Sequence, residues 1–85
     1  MDVRQELKNL GVFQGEFAHL VGVSRVTVGH WCRGVKPSKF ASAVAVRMLD
    51  ILKQAQEDGS LAGIEDCNTA AERREFLEML VQSHS

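Results

Sequence analysis

Apolar residues fall at helical spacing along most of this chain, and glycine or a cluster of small polar residues closes each stretch. Val3, Leu7 and Leu10 form the first stripe, with Gly11 as its expected C-cap. Phe17, Leu20 and Val21 form the second. Gly22 ends it, where a left-handed or tight backbone is cheapest for a residue without a Cβ. Ala18 is small where two steeply crossing helices bring their backbones closest. Val23 is expected as a buried plug in the turn, and Ser24 as the side-chain cap of a helix over Arg25 to Arg33. On that helix Thr27, Val28 and Trp31 share one side, which reads as core. Gln14 to Gly34 is therefore two short helices joined by a tight turn.

The segment VKPSK after Gly34 holds the only proline and reads as a loop. Ser38 then caps a long helix over Lys39 to Glu57. Its apolar residues run from Phe40 to Ala55 and spread wider than one stripe, so a later helix or a partner subunit must cover a second face. The alternation in AVAV is strand-like, but the helical register continues through Leu49 and Leu52; a helix broken near Ala43 is the open alternative. EDGSLAGIEDCNT reads as an ordered connector, since Leu61 and Ile64 would be wasted in a flexible one. Asn68 or Thr69 caps a final helix to about Gln82. Phe76, Leu77, Leu80 and Val81 gather on one of its sides with Met79 at the border; Glu72, Arg74, Glu75 and Glu78 gather opposite.

The expected fold is all-α: a compact bundle of about five helices with a central helix-turn-helix and an extra C-terminal helix. Residues 1–57 form the helix-turn-helix domain. Residues 58–85 form an acidic connector and a helix that packs on the core or completes a dimer. Val44, Met48, Ile51, Phe76 and Leu80 are the positions assigned to that dimer contact.

Composition narrows the function. Eighty-five residues make one small domain with little stability to spare. No apolar run approaches a membrane span, and MDVRQELKNL lacks the basic start and apolar block of a signal peptide. Two cysteines, Cys32 and Cys67, are too few for a disulfide framework, which suits a reduced, cytoplasmic protein. With His19, His30 and His84 they form no zinc spacing, no nucleophile has a base placed beside it, and no phosphate loop follows a strand. No catalysis, metal, cofactor or small-molecule ligand is expected. The net charge of −1 hides an uneven distribution. Residues 1–53 hold eight Lys or Arg against four acids, a balance of +4; residues 54–85 hold two against seven, a balance of −5. A local basic patch sets attraction to phosphate, not the bulk charge.

The outward side of the Arg25–Arg33 helix carries Arg25, Val26, Gly29, His30 and Arg33. Glycine within a helix costs about 1 kcal/mol against alanine, so Gly29 suggests close approach of something outside. Arginine can fork onto guanine in a major groove, histidine can donate or accept there, and valine can meet a thymine methyl. A solvated face is the bland alternative, and the turn before it weighs against that.

Gln14, Ala18, Gly22, Val23, Ser24, Thr27, Val28, Trp31 and Gly34 stand in the register of the lambda-repressor-like, Cro-type helix-turn-helix family, which this chain resembles. The resemblance covers the motif directly and about the first 55 residues more loosely. It implies that Arg25, Val26, Gly29 and His30 face base edges, while Gln14, Ser24, Thr27, Arg33, Lys36 and Lys39 lie along phosphates. Phe13 departs from the pattern, standing where the family commonly has a Ser or Thr cap; it is expected to act as an apolar staple. The function implied is a sequence-specific, double-stranded-DNA-binding regulator, a homodimeric repressor of bacterial or bacteriophage type on a palindromic operator. Two other readings use the same fold. One is a protein-interaction module such as an antitoxin, adaptor or inhibitor; the other is an architectural DNA-binding factor.

Overall fold

The computed structural model describes residues 2–84. Five α-helices follow in order: α1 (Val3–Leu10), α2 (Gln14–Val21), α3 (Arg25–Cys32), α4 (Lys39–Glu57) and α5 (Ala70–His84). A 3₁₀ turn, Ser60–Asp66, joins the last two, and no strand occurs among the described residues. The chain is an all-α bundle with a central helix-turn-helix.

The two serines predicted to cap do so, and Asp2, not predicted, caps α1. The Gln5 amide donates to Asp2 at 3.1 Å, Thr27 to Ser24 Oγ at 3.2 Å, and Ala41 to Ser38 Oγ at 3.2 Å. Thr69, rather than Asn68, caps α5 by accepting from the Glu72 amide at 3.1 Å, while the Glu72 carboxylate reaches back to the Asn68 amide at 2.7 Å. Gly22 takes φ +90°, and its amide and that of Val23 both donate to the Ala18 carbonyl. A side chain there would be strained, so this glycine sets the turn between α2 and α3. α4 runs unbroken from Lys39 to Glu57 through Ala43.

Each helix sends its apolar stripe to one core. Phe17, Val28, Leu52 and Leu77, from four different helices, are fully buried, and Trp31 is 6% exposed. The connector contributes Leu61 and Ile64, both buried, so it is part of the fold rather than a tether. Gly63 lets Phe76 of α5 lie against it: a Cβ there would stand 2.9 Å from the ring. Gly63→Ala should therefore destabilise by about 1 kcal/mol, measured as a lower urea midpoint; an unchanged midpoint would mean that the ring swings aside freely.

α5 packs on α4, on α2 and on the 3₁₀ turn. Its attachment to α2 is polar. Arg73 donates from Nε to Glu16 Oε2 at 2.8 Å, and from one terminal nitrogen to Glu16 Oε1 at 3.0 Å and the Gly11 carbonyl at 2.9 Å. His19 pairs with Glu78. At the far end His84 has one ring nitrogen 3.1 Å from Asp58 and the other 3.0 Å from the Leu80 carbonyl, an arrangement that the imidazolium satisfies by donating twice. Asp58, accepting from Ser60 and facing His84, is held down to about 2, and His84 is raised in turn by Asp58.

Two expectations change. Phe13 is not a buried staple: it is 63% exposed, and its ring lies flat against the Arg73 guanidinium, 4.3 Å from centroid to carbon. Its amide, not its side chain, completes the helix start by donating to Glu16 at 3.0 Å. Of the positions assigned to a dimer contact, Ile51 and Leu80 are buried within the single chain, Met48 and Phe76 pack on its core, and Val44 is half-buried. The large apolar side chains left exposed in this half are Phe40, Val46 and Met79.

Candidate nucleic-acid interface

α3 is seated by Val28 and Trp31, which fixes what faces away from the core. Arg25, Val26, His30 and Arg33 are exposed, Val26 by 67%, and Gly29 is half-buried among them. Neither the connector nor α5 covers them. A Cβ at Gly29 would meet only the Gln14 Oε1 at 3.7 Å, an ordinary contact. The chain's own packing therefore does not demand glycine there.

Gln14, half-buried at the start of α2, brings its Oε1 beside Gly29 in the middle of α3. Arg25 is placed by its stem: its Cδ would be 3.6 Å from a Cβ on Gly15, so the aliphatic part of the side chain runs along α2. Ser24 and Thr27 share a hydroxyl–hydroxyl bond of 2.9 Å at the N-terminus of α3; Ser24 is exposed and Thr27 half-buried. Arg33 ends the helix as its C-cap, and the Val35 amide donates back to the His30 carbonyl at 3.0 Å. This turns the loop bearing Lys36 back at the end of α3; Lys36 is exposed, as is Lys39 at the start of α4.

An open groove joins part of this set, with Ser24, Thr27, His30, Lys36 and Lys39 outside its lining. It is lined by Arg4, Gln14, Arg25, Val26, Gly29 and Arg33, with Cys32 beside them. Burial pushes the Cys32 thiol up, so it meets the groove uncharged. Arg4 comes to the groove from α1, and nothing local in the sequence tells which neighbour the outer side of α1 will face. A second hollow, on the other side of Arg25, is lined by Phe13, His19 and Arg74 among others, so α5 brings a further cation to the edge of the motif. The only signal for it was that Arg73 and Arg74 are the sole cations after residue 54.

The electrostatics follow from one pairing. Glu16 is the only acid between Gln14 and Lys39, and Arg73 neutralises it. Burial raises the Glu16 carboxyl, but hydrogen bonds from Arg73 and the Phe13 amide outweigh it and hold the group below its ordinary value. Arg4, Arg25, Arg33, Lys36 and Lys39 make no ion pair among the described residues. Unpaired cations around an apolar and imidazole-bearing helix face suit a polyanion whose edges also offer hydrogen bonds. Among the described residues no group of three His, Cys, Asp or Glu is placed to hold a metal ion, and no helix is long and apolar enough to cross a membrane.

Compared with protein-family models, with curated proteins and with solved structures, the chain matched none.

Proposed function

We propose that this protein is a sequence-specific, double-stranded-DNA-binding regulator of the lambda-repressor-like, Cro-type helix-turn-helix kind. It acts in the cytoplasm as a homodimeric repressor of bacterial or bacteriophage type. The observation that carries the reading is the exposed face of α3, with Arg25, Val26 and His30 uncovered and Arg4, Arg25, Arg33, Lys36 and Lys39 in no ion pair among the described residues. Arg25, Val26 and His30 address base edges in the major groove, where each base pair has its own pattern of donors and acceptors. Gln14, Ser24, Thr27, Arg33, Lys36 and Lys39 hold phosphates, joined by Arg4 from α1. These contacts set register without reading sequence. The longest extent of the chain, 33 Å, is close to one turn of duplex, so one copy covers one half-site. Two copies read a near-palindrome and exclude other proteins from it.

Selection of bound duplexes from a random pool tests this. The expected product is one motif with inverted half-sites about 10 bp apart, or a multiple. A pool that never departs from random composition would reject it. Lys36→Ala should weaken all sequences alike and reduce the slope of log affinity against log salt by about 1; an unchanged slope would remove Lys36 from the contact.

A further inference from the structure

The half of α4 nearest the loop after α3 presents a surface that the chain leaves uncovered. Phe40 is 82% exposed and Val46 43%, and Ala43, Arg47 and Asp50 are exposed with them. At about 100° per residue these five share the side of α4 opposite Ala45, Leu49 and Leu52. A shallow hollow on that side is lined by Ala43, Val46, Arg47, Asp50, Ile51 and His84, among others. Phe40 stands one turn before the hollow and outside it. Arg47 and Asp50 make no hydrogen bond or ion pair among the described residues.

We propose that this face docks a second copy of the same chain, α4 lying nearly antiparallel to α4 about a two-fold axis level with the step from Ala43 to Val44, with Phe40 of each copy in the hollow of the other. The patch is complementary to itself, which an isologous contact requires. Turning α4 end for end about a point midway between Ala43 and Val44 carries Phe40 onto the partner's Arg47. That is the contact of guanidinium and ring the chain already makes between Arg73 and Phe13. The same operation carries Asp50 to the N-terminal end of the partner's α4, a positive end with no acid in its first turn. Ala43, small at the axis, lets the two helices come close. Knob, hollow, cation and anion are thus all answered by one surface.

Two helical turns cover less than the roughly 800 Å² per partner typical of stable complexes. Association is therefore weak in solution and is completed where two copies lie side by side on DNA. The inference deepens the DNA-binding reading by naming where its two copies join, and its test needs no DNA.

Sedimentation equilibrium of the full chain up to about 1 mM, where an association worth about 4 kcal/mol becomes visible, reads it directly. The wild type should rise from 9.4 kDa toward twice that mass. Phe40→Ser and Arg47→Glu should stay at the single-chain mass, with helix content unchanged by circular dichroism. Met79→Ser, an exposed side chain off this face, should associate as the wild type does. A wild type monomeric throughout overturns the proposal, as does a Phe40→Ser variant that still associates, or a Met79→Ser variant that does not. A chain that associates through Phe40 yet binds no duplex would sink the regulator reading alone.

Discussion

Arg73→Ala should lower stability by about 2–4 kcal/mol, although Arg73 lies far from the core. Its side chain is 19% exposed and that of Glu16 10%, so removing the guanidinium leaves a carboxylate nearly out of water with one amide for company. The Gly11 carbonyl also loses its donor and the Phe13 ring its cover. Acid separates these losses. In the wild type Glu16 is held below 4.5, so its contribution is full above that value and disappears as pH falls through the lowered one. In the variant, burial without the guanidinium pushes the same carboxyl up, and protonation relieves it. The deficit measured by urea denaturation should therefore be large at pH 7 and shrink toward pH 4. An equal deficit at both would mean that only packing over Phe13 was lost.

Arg25→Ala should cost about 1–3 kcal/mol on the preferred operator and relax the choice of base at one position per half-site. Its stem passes close to Gly15 of α2, and its guanidinium is exposed beside Val26 on the outward side of α3. A guanidinium in that position can meet one base. The measurement is affinity for the full set of single-base variants of the operator, with both proteins. A uniform loss across the set would assign Arg25 to phosphate instead.

Much of this arrangement was legible in the sequence because helix ends are local. Ser24 and Ser38 cap by reaching three residues on, and Gly11 and Gly22 turn the backbone where only short-range sterics matter. The outward side of α3 was legible too, since Trp31 and Val28 leave it a single orientation. Contacts set by distant parts of the chain were not. Glu16 and Arg73 are 57 positions apart, and no period in the sequence joins them. That pair joins α5 to α2 while Leu77 and Leu80 enter the core, and the placement of α5 decides which side of the broadly apolar α4 is covered. This is why Ile51 and Leu80 turned inward while Phe40 and Val46 stayed out. Arg4 gained its place in the groove from the packing of α1 on α3, which no local pattern announces either.

The account turns on whether the outward face of α3 distinguishes one DNA sequence from another. The direct measurement is the ratio of affinities for the selected operator and for a scrambled duplex of equal length and composition, at one salt concentration near 0.15 M. The account predicts a ratio of about 10³ or more, with both affinities falling as salt rises. A ratio near one, or no binding to either duplex, would contradict it.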